Sequence, residues 1–283
     1  MENSLTHRTT LPITIIGAGA LGSALALDLH KRHYSIRAVF SRRGKSANAL
    51  AKKVGATQSG ILSSQALDDQ IVFIAARDDE IEKIVFQILK LEIALSRSIV
   101  FHTSGALSSA VLSPLKKRGA AVGSFHPLQT FPKMKLRYGG FREVFVAVEG
   151  DPKALAAGKR IARDLGAHPF VLSSRQKVLY HIAAVFASNY FVTLLSIVED
   201  LGLRIGVPRK QMVAMVEPLL LQSLKNVRTS SASSALTGPI ARGDVRTISK
   251  HRRALATKEL NHVSQLYAAL AMVTTRLTSK KRI

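Results

Sequence analysis

The chain has 283 residues, 47% of them hydrophobic and 21% charged, which gives room for about two packed domains and excludes wholesale disorder. It contains no cysteine, so disulfides, thiolate metal sites and cysteine nucleophiles are excluded, and a cytoplasmic protein is expected. Its 41 basic residues against 18 acidic ones leave a net charge of +23, which makes an anionic partner worth seeking along the chain.

The first element is a β-prone run, Ile13-Thr14-Ile15-Ile16, followed at once by Gly17-Ala18-Gly19-Ala20-Leu21-Gly22 and a helix-forming segment to about residue 33. Gly-x-Gly-x-x-Gly between a strand and a helix predicts a dinucleotide-binding turn. Gly17 permits the tight turn, Gly19 lets the backbone approach a pyrophosphate, and Gly22 lets the helix pack on the sheet. Ala20 and Leu21 then lie at a helix N-terminus, whose free N–H groups and partial positive charge attract phosphate. Residues 11–29 are largely apolar behind Arg8, but Asp28 interrupts them and the glycines belong to the turn, so neither a leader nor a membrane span is expected.

Residues 35–41 read as the second strand, whose end selects the cofactor. An NAD site usually has an acid there for the ribose hydroxyls. Here Ser41-Arg42-Arg43 ends the strand, and no acid occurs from residue 35 through 48. A serine hydroxyl and guanidinium groups suit an extra 2′-phosphate, so NADP is favoured, with a solvated basic turn as the alternative.

A helix is expected over 45–54, then a strand over 70–75 whose nearly continuous apolar character suits a parallel sheet covered on both faces. Ala75 and Ala76 at its end are small enough to lie against the cofactor, and Asp78 or Asp79 is expected to cap a helix over 80–89. Strands over 98–101 and 120–125 run into His102-Thr103-Ser104-Gly105-Ala106 and His126-Pro127-Leu128-Gln129. Both place a histidine and hydroxyls at the carboxyl end of a strand, where nicotinamide and substrate meet in such sheets. The alternative is that His102 and His126 satisfy loop backbone groups. Strands over 143–148 and 169–172, separated by a helix over 152–165, extend this domain.

From residue 175 onward the pattern is helical. Residues 175–201 read as one long helix whose apolar run, 182–198, carries Ser188, Asn189 and Thr193 and is expected to be buried rather than to span a membrane. His181 and Ser188, seven residues apart, fall within about 20° on one face of an ideal helix and about 10 Å apart along it, with Asn189 on the flank. They reach opposite ends of one ligand or serve as packing groups with satisfied hydrogen bonds. After a helix over 209–226, the loop Ala235-Leu236-Thr237-Gly238-Pro239-Ile240-Ala241-Arg242-Gly243-Asp244 reads as an ordered element.

The basic residues are dispersed over Lys31-Arg32, Arg42-Arg43, Lys116-Lys117-Arg118, residues 133–137, His251-Arg252-Arg253 and Lys280-Lys281-Arg282. They are not interleaved with aromatics, and no nucleic-acid-binding motif appears, so nucleic acid is not the expected partner.

The glycine turn, His102-Thr103-Ser104-Gly105, Phe125-His126-Pro127-Leu128-Gln129, Tyr180-His181 with Ser188-Asn189-Tyr190, and Thr237-Gly238-Pro239 with Arg242-Gly243-Asp244 together resemble one family. It comprises Rossmann-like proteins described provisionally as NADP-dependent oxidoreductases and carrying a C-terminal domain of unknown function. The resemblance implies a nucleotide domain followed by an all-helical domain that often forms a dimer contact. Its fold is similar to those of pyrroline-carboxylate reductase, ketopantoate reductase and the 6-phosphogluconate dehydrogenase group. In that wider group a lysine stands one turn before the asparagine of the long helix. Val185 occupies the corresponding position here, and Lys177 is three turns from Asn189. His126-Pro127 also resembles the His-Pro of prephenate dehydrogenase, where the histidine engages a substrate hydroxyl, and Ser104 resembles a serine used nearby.

The sequence therefore predicts an α/β Rossmann-type, doubly wound, mostly parallel sheet over 11–174, binding NADP, and an all-α domain over 175–283 for substrate and dimerisation. The expected function is hydride transfer between nicotinamide and a small, anionic carbonyl, hydroxyl or imine substrate held between the domains, in a cytoplasmic homodimer. His126 and Ser104 are the expected catalytic residues, with His181 and Asn189 closing the site. Gly17, Gly19, Ala20, Leu21, Gly22, Ser41, Arg42, Arg43, Ala75, Ala76, His102 and Thr103 are expected to hold the cofactor, and no metal is expected. A non-catalytic NADP sensor or scaffold is the alternative.

Overall fold

A computed structural model describes residues 11–62, 67, 69–131 and 140–279. Arg8 and the basic tracts at 133–137 and 280–282 lie outside the described residues. Contacts group the chain into two compact units, Met1–Ser188 and Asn189–Ile283.

The first unit alternates strand and helix: β1 (Ile13–Ile16), α1 (Ala20–Lys31), β2 (Ile36–Phe40), α2 (Lys45–Val54), β3 (Gln58–Gly60), β4 (Ile71–Ile74), α3 (Asp78–Leu89) and β5 (Ile99–His102). A 3-10 turn, Ser109–Leu112, leads into α4 (Ser113–Lys116), then β6 (Ala121–Pro127), β7 (Phe145–Gly150), α5 (Pro152–Asp164) and β8 (His168–Val171). A second 3-10 turn, Ser174–Gln176, opens α6 (Lys177–Val185).

The strands form one sheet in the order β3-β2-β1-β4-β5-β6-β7-β8. Among the described residues only the β6–β7 pair is antiparallel. The first six strands thus have the 3-2-1-4-5-6 order of a doubly wound nucleotide-binding sheet, and a doubly wound, mostly parallel sheet is the class expected from sequence. Crossovers bring helices to both faces, so alternate strand residues enter two cores. Ile13 and Ile15 pack with Leu25, Phe73, Phe101, Phe125 and Ile161 on one face. Ile16, Val72, Ile74, Ile81, Val100 and Val122 pack on the other. Phe73 stacks on Phe101 at 5.2 Å between ring centres and meets Phe125 edge to face at 5.4 Å, filling the middle of the first core.

Three local expectations are corrected. β3 has no counterpart in the sequence reading, because Gln-Ser-Gly carries no β signal and owes its extended form to pairing with β2. Asp78 and Asp79 do not cap α3: Arg77 is at the cap position, and both acids stand in the first turn, where they favour the positive end of the helix. The helix expected over 175–201 is not uniform. A π-turn, Phe186–Tyr190, interrupts it, so ideal α-helical spacing does not relate His181 to Ser188 and Asn189.

The second unit continues with α7 (Phe191–Arg204), α8 (Arg209–Thr229), α9 (Ala232–Ala235), α10 (Pro239–Arg242), α11 (Val245–Ala254) and α12 (Asn261–Ser279). α7 and α8 cross closely at Gly202, where a Cβ would stand 2.7 Å from Met212 Cγ. A small core joins Leu255, Leu260 and Val263 to Ile197, Leu201 and Tyr267. The glycine-proline loop is ordered, as expected. Asp244 caps α11 by accepting the Thr247 N–H at 3.0 Å and its hydroxyl at 2.7 Å.

The apolar run at 182–198 is not buried as the sequence suggested. Phe186, Val192 and Leu194 are exposed, and so are Met215, Leu219 and Leu221 of α8 and Met272 of α12. By length and composition the helical run Ser174–Arg204 could cross a membrane, since its 31 residues contain a window of mean hydropathy 1.7.

Candidate active site

The glycine turn is built as its spacing requires. The Gly17 N–H donates to the Phe40 carbonyl at 2.8 Å, and the Ala75 N–H donates to the Ile16 carbonyl at 2.7 Å, which brings the ends of β1, β2 and β4 together. Gly17 has φ +114°, and a Cβ on it would lie 2.2 Å from the Ala75 carbonyl oxygen. On Gly22 a Cβ would lie 1.9 Å from the Gly17 carbonyl oxygen. Gly19 differs, since a Cβ there would meet nothing within 4 Å. Neither turn geometry nor packing therefore explains Gly19, and the open space beside it is where a bound group can approach the backbone. Gly19 caps α1 without a side-chain hydrogen bond, leaving the N–H groups of Ala20, Leu21 and Gly22 at the start of the helix without intrahelical acceptors. This cradle fits a pyrophosphate.

At the end of β2, the Ser41 N–H donates to the Gly60 carbonyl at 2.9 Å. The Ser41 hydroxyl accepts from Ser46 at 3.1 Å and from the Ala47 N–H at 3.3 Å. Arg42 and Arg43 are exposed and make no ion pair among the described residues, so both guanidinium groups are available to an anion. The Thr103 N–H is tied to the Ile74 carbonyl at 3.2 Å, and Ala76 is partly exposed at the end of β4.

The second cluster forms where β5 and β6 end. In the sheet register His102 pairs with Ser124, and Ser124 pairs with Glu149. His102 is completely buried, and its Nδ1 accepts the Ser104 N–H at 3.1 Å. The Ser104 hydroxyl accepts the N–H groups of Ala106 at 3.1 Å and Leu107 at 3.0 Å, so it shapes the turn that holds Gly105. Gly105 is the point of convergence. A Cβ there would stand 2.6 Å from His181 Nδ1 and 2.8 Å from His126 Nε2. The imidazoles of His126 and His181 meet at 83° with centres 6.1 Å apart. His181 Nδ1 is buried without a hydrogen-bond partner among the described residues. His126 Nδ1 lies 2.8 Å from Tyr180 Oη.

Electrostatics sets the protonation of this cluster. Burial, then the Lys177 charge, pushes His102 down to about 4. Burial, then Lys177, then His181, pushes His126 down to about 4. Burial raises the Tyr180 phenol to about 12. At neutral pH both histidines are uncharged and Tyr180 keeps its proton. His126 thus lies below the ordinary imidazole range, chiefly through burial and then through the Lys177 charge.

The structure thus brings His126, His181 and the Ser104–Gly105 turn together within the first unit. Asn189 lies in the π-turn, is exposed and falls in the second unit. Lys177, Tyr180 and Gly105 are participants that the sequence reading left without a role. Lys177 opens an apolar helix, a position where a lysine is ordinarily solvated. Gly105 had the clearer signal, a glycine beside a serine directly after a strand.

Residues 1–127 match a Rossmann-like domain, and residues 144–274 match a domain of unknown function, DUF2520. The chain joins a Rossmann-like domain to a DUF2520 domain. No curated protein matches it. Among solved structures, one from Bacteroides fragilis, described provisionally as an NADP oxidoreductase, is 27% identical, with TM-score 0.77 over 94% of this chain and 98% of that one. A pyrroline-5-carboxylate reductase from Coxiella burnetii is 14% identical, with TM-score 0.58 over 96% of this chain and 98% of that one. A reductive aminase from Aspergillus terreus, in complex with NADPH and ethyl-5-oxohexanoate, is 16% identical, with TM-score 0.59 over 96% of this chain and 88% of that one. The last two share the fold with this chain.

Proposed function

We propose that this protein is an NADP-dependent oxidoreductase acting on a small, anionic substrate that carries a carbonyl, hydroxyl or imine group. The observation that carries the reading is the convergence of His126 Nε2 and His181 Nδ1 on Gly105, at the carboxyl ends of strands in the sheet that also bears the glycine cradle. The Bacteroides fragilis relative supports the reaction class. The bound nicotinamide would supply or accept a hydride.

The protein's own part is binding and proton placement. Gly17, Gly19 and Gly22, with the amides of Ala20 and Leu21, would hold the pyrophosphate. Ser41, Arg42 and Arg43 would receive the 2′-phosphate that distinguishes NADP from NAD. Ala75, Ala76, His102 and Thr103 would line the cofactor where the strands end. The Tyr180 phenol, protonated at neutral pH, would donate to His126 Nδ1 and so leave the ring proton on Nε2, the nitrogen nearest Gly105. His126 would then act as a neutral hydrogen-bond donor that polarises the substrate's oxygen or nitrogen. His181 would offer a second polar contact. Ser104 would act by shaping the turn.

The exposed apolar residues of α7, α8 and α12 would be covered by a second copy of the chain. A homodimer through the helical domain would remove them from water, and nothing in the sequence calls for nucleic acid. Separate titrations with NADPH and NADH, followed by NADPH consumption with keto acids and cyclic imines, test the proposal. Tighter binding of NADPH and turnover of at least one substrate are expected. Tight binding without any turnover would favour a non-catalytic sensor instead.

A further inference from the structure

We propose that Lys177 is a positioning residue of this site: its buried ammonium clamps the Ser104–Gly105 turn, on which the two imidazoles converge, to strand β6. Its catalytic meaning rests on the oxidoreductase reading above, but the clamp itself does not.

Lys177 has no exposed surface, unusual for a lysine in the first turn of a helix. Its Nζ donates to the Ser104 carbonyl at 3.0 Å and to the Ser124 hydroxyl at 2.7 Å. The lysine and the Ser104 hydroxyl divide the work. The hydroxyl holds the amides that follow Gly105, while the lysine holds the carbonyl immediately before it. Because one added carbon at Gly105 would strike both His126 and His181, the height of this turn sets the space in front of their nitrogens.

A buried ammonium is retained only where other groups compensate it. The compensation comes from β7 and α3. Glu149, 4% exposed, attracts Lys177, as does Asp78. Glu149 is itself held by the Ser109 N–H and hydroxyl, both at 2.8 Å, and by the Ser174 hydroxyl at 2.7 Å. Burial opposes the ionisation of Glu149, but the bonds from Ser174 and Ser109, helped by Lys177, outweigh it and lower its pKa. Burial brings Lys177 down to about 8 against the pull of Glu149 and Asp78. The ammonium in turn acts on His102 of β5 and His126 of β6, lowering both. One side chain thereby fixes the turn and adds to the burial that keeps His126 uncharged.

The test is an NMR titration of the full-length protein with labelled histidine and lysine, which needs no substrate. Lys177 is expected to titrate near pH 8, below the surface lysines, and the His126 ring signals should move at the same midpoint. Lys177 titrating with the surface lysines, or His126 titrating near its ordinary value, overturns the proposal. The double variant Lys177→Met/Glu149→Gln removes both charges together and so leaves neither unpaired. Its His126 midpoint should rise, and its turnover should fall at least tenfold while its affinity for NADPH changes less than about twofold. Unchanged His126 titration together with unchanged turnover would refute the clamp. If the wild-type protein shows the coupled titration but turns over nothing, the oxidoreductase reading fails and the clamp stands.

Discussion

Tyr180 Oη lies 2.8 Å from His126 Nδ1, and the two rings meet edge to face with centres 5.5 Å apart. In the proposed mechanism this contact would set the tautomer of His126. The phenol, kept protonated by burial, would donate to Nδ1, and the opposite nitrogen would then carry the ring proton toward Gly105. Removing the hydroxyl with Tyr180→Phe should lower turnover about tenfold, the range of a lost orienting hydrogen bond, and leave NADPH affinity unchanged. Steady-state kinetics and a binding titration on the same preparation check this.

Gly105→Ala tests the convergence from the other side. Its added carbon would fall 2.6 Å from His181 Nδ1 and 2.8 Å from His126 Nε2, so a ring or the turn must move. A stability loss of about 1–3 kcal/mol is expected from overpacking, with turnover reduced more than tenfold. Urea unfolding and kcat/KM measure the two effects. Wild-type kcat/KM in this variant would show that the space over Gly105 has no part in the reaction.

The three glycines of the nucleotide turn should separate by assay. Gly17→Ala and Gly22→Ala insert a carbon into backbone atoms and should destabilise the fold. Gly19→Ala meets no protein atom within 4 Å, so its Tm should stay within about 2 °C of wild type while NADPH affinity falls at least tenfold. Calorimetry and fluorescence titration measure stability and affinity independently.

Arg42→Ala should weaken NADPH binding about tenfold and leave NADH binding unchanged, because only the former carries the 2′-phosphate. Equal losses for both cofactors would place Arg42 away from the discriminating site.

Acid sensitivity follows from His102. Its folded-state pKa, near 4, lies below the ordinary 6.5, so the unfolded chain takes up the proton first as pH falls. Its contribution is fully present above about pH 6.5 and is lost as pH falls toward 4. Between pH 7 and 5 the loss should be about 2 kcal/mol. His126 acts in the same sense. Urea unfolding at the two pH values should show the loss, and His102→Asn, which retains an acceptor for the Ser104 N–H, should diminish it.

The fold was legible because its signals are local. Ile13 to Ile16, the glycine turn and the buried run ending at Ile74 declare themselves within a few residues. Gln58 to Gly60 do not, since their extended form is imposed by β2. At the site, His126 and Ser104 were visible as polar residues at strand ends. Their roles were not, because the Ser104 hydroxyl is engaged by the amides of Ala106 and Leu107 and the ionisation of His126 depends on burial and on a lysine 51 positions later in the chain. His181 could be singled out as a histidine on an apolar helix. The spacing linking it to Asn189 assumed a regular helix that the π-turn interrupts.

The most direct test is to compare wild type with His126→Ala in NADPH binding and in NADPH consumption with keto acids and cyclic imines. The account predicts unchanged NADPH affinity and turnover at least a hundredfold lower in the variant. Turnover at the wild-type rate in His126→Ala would contradict it.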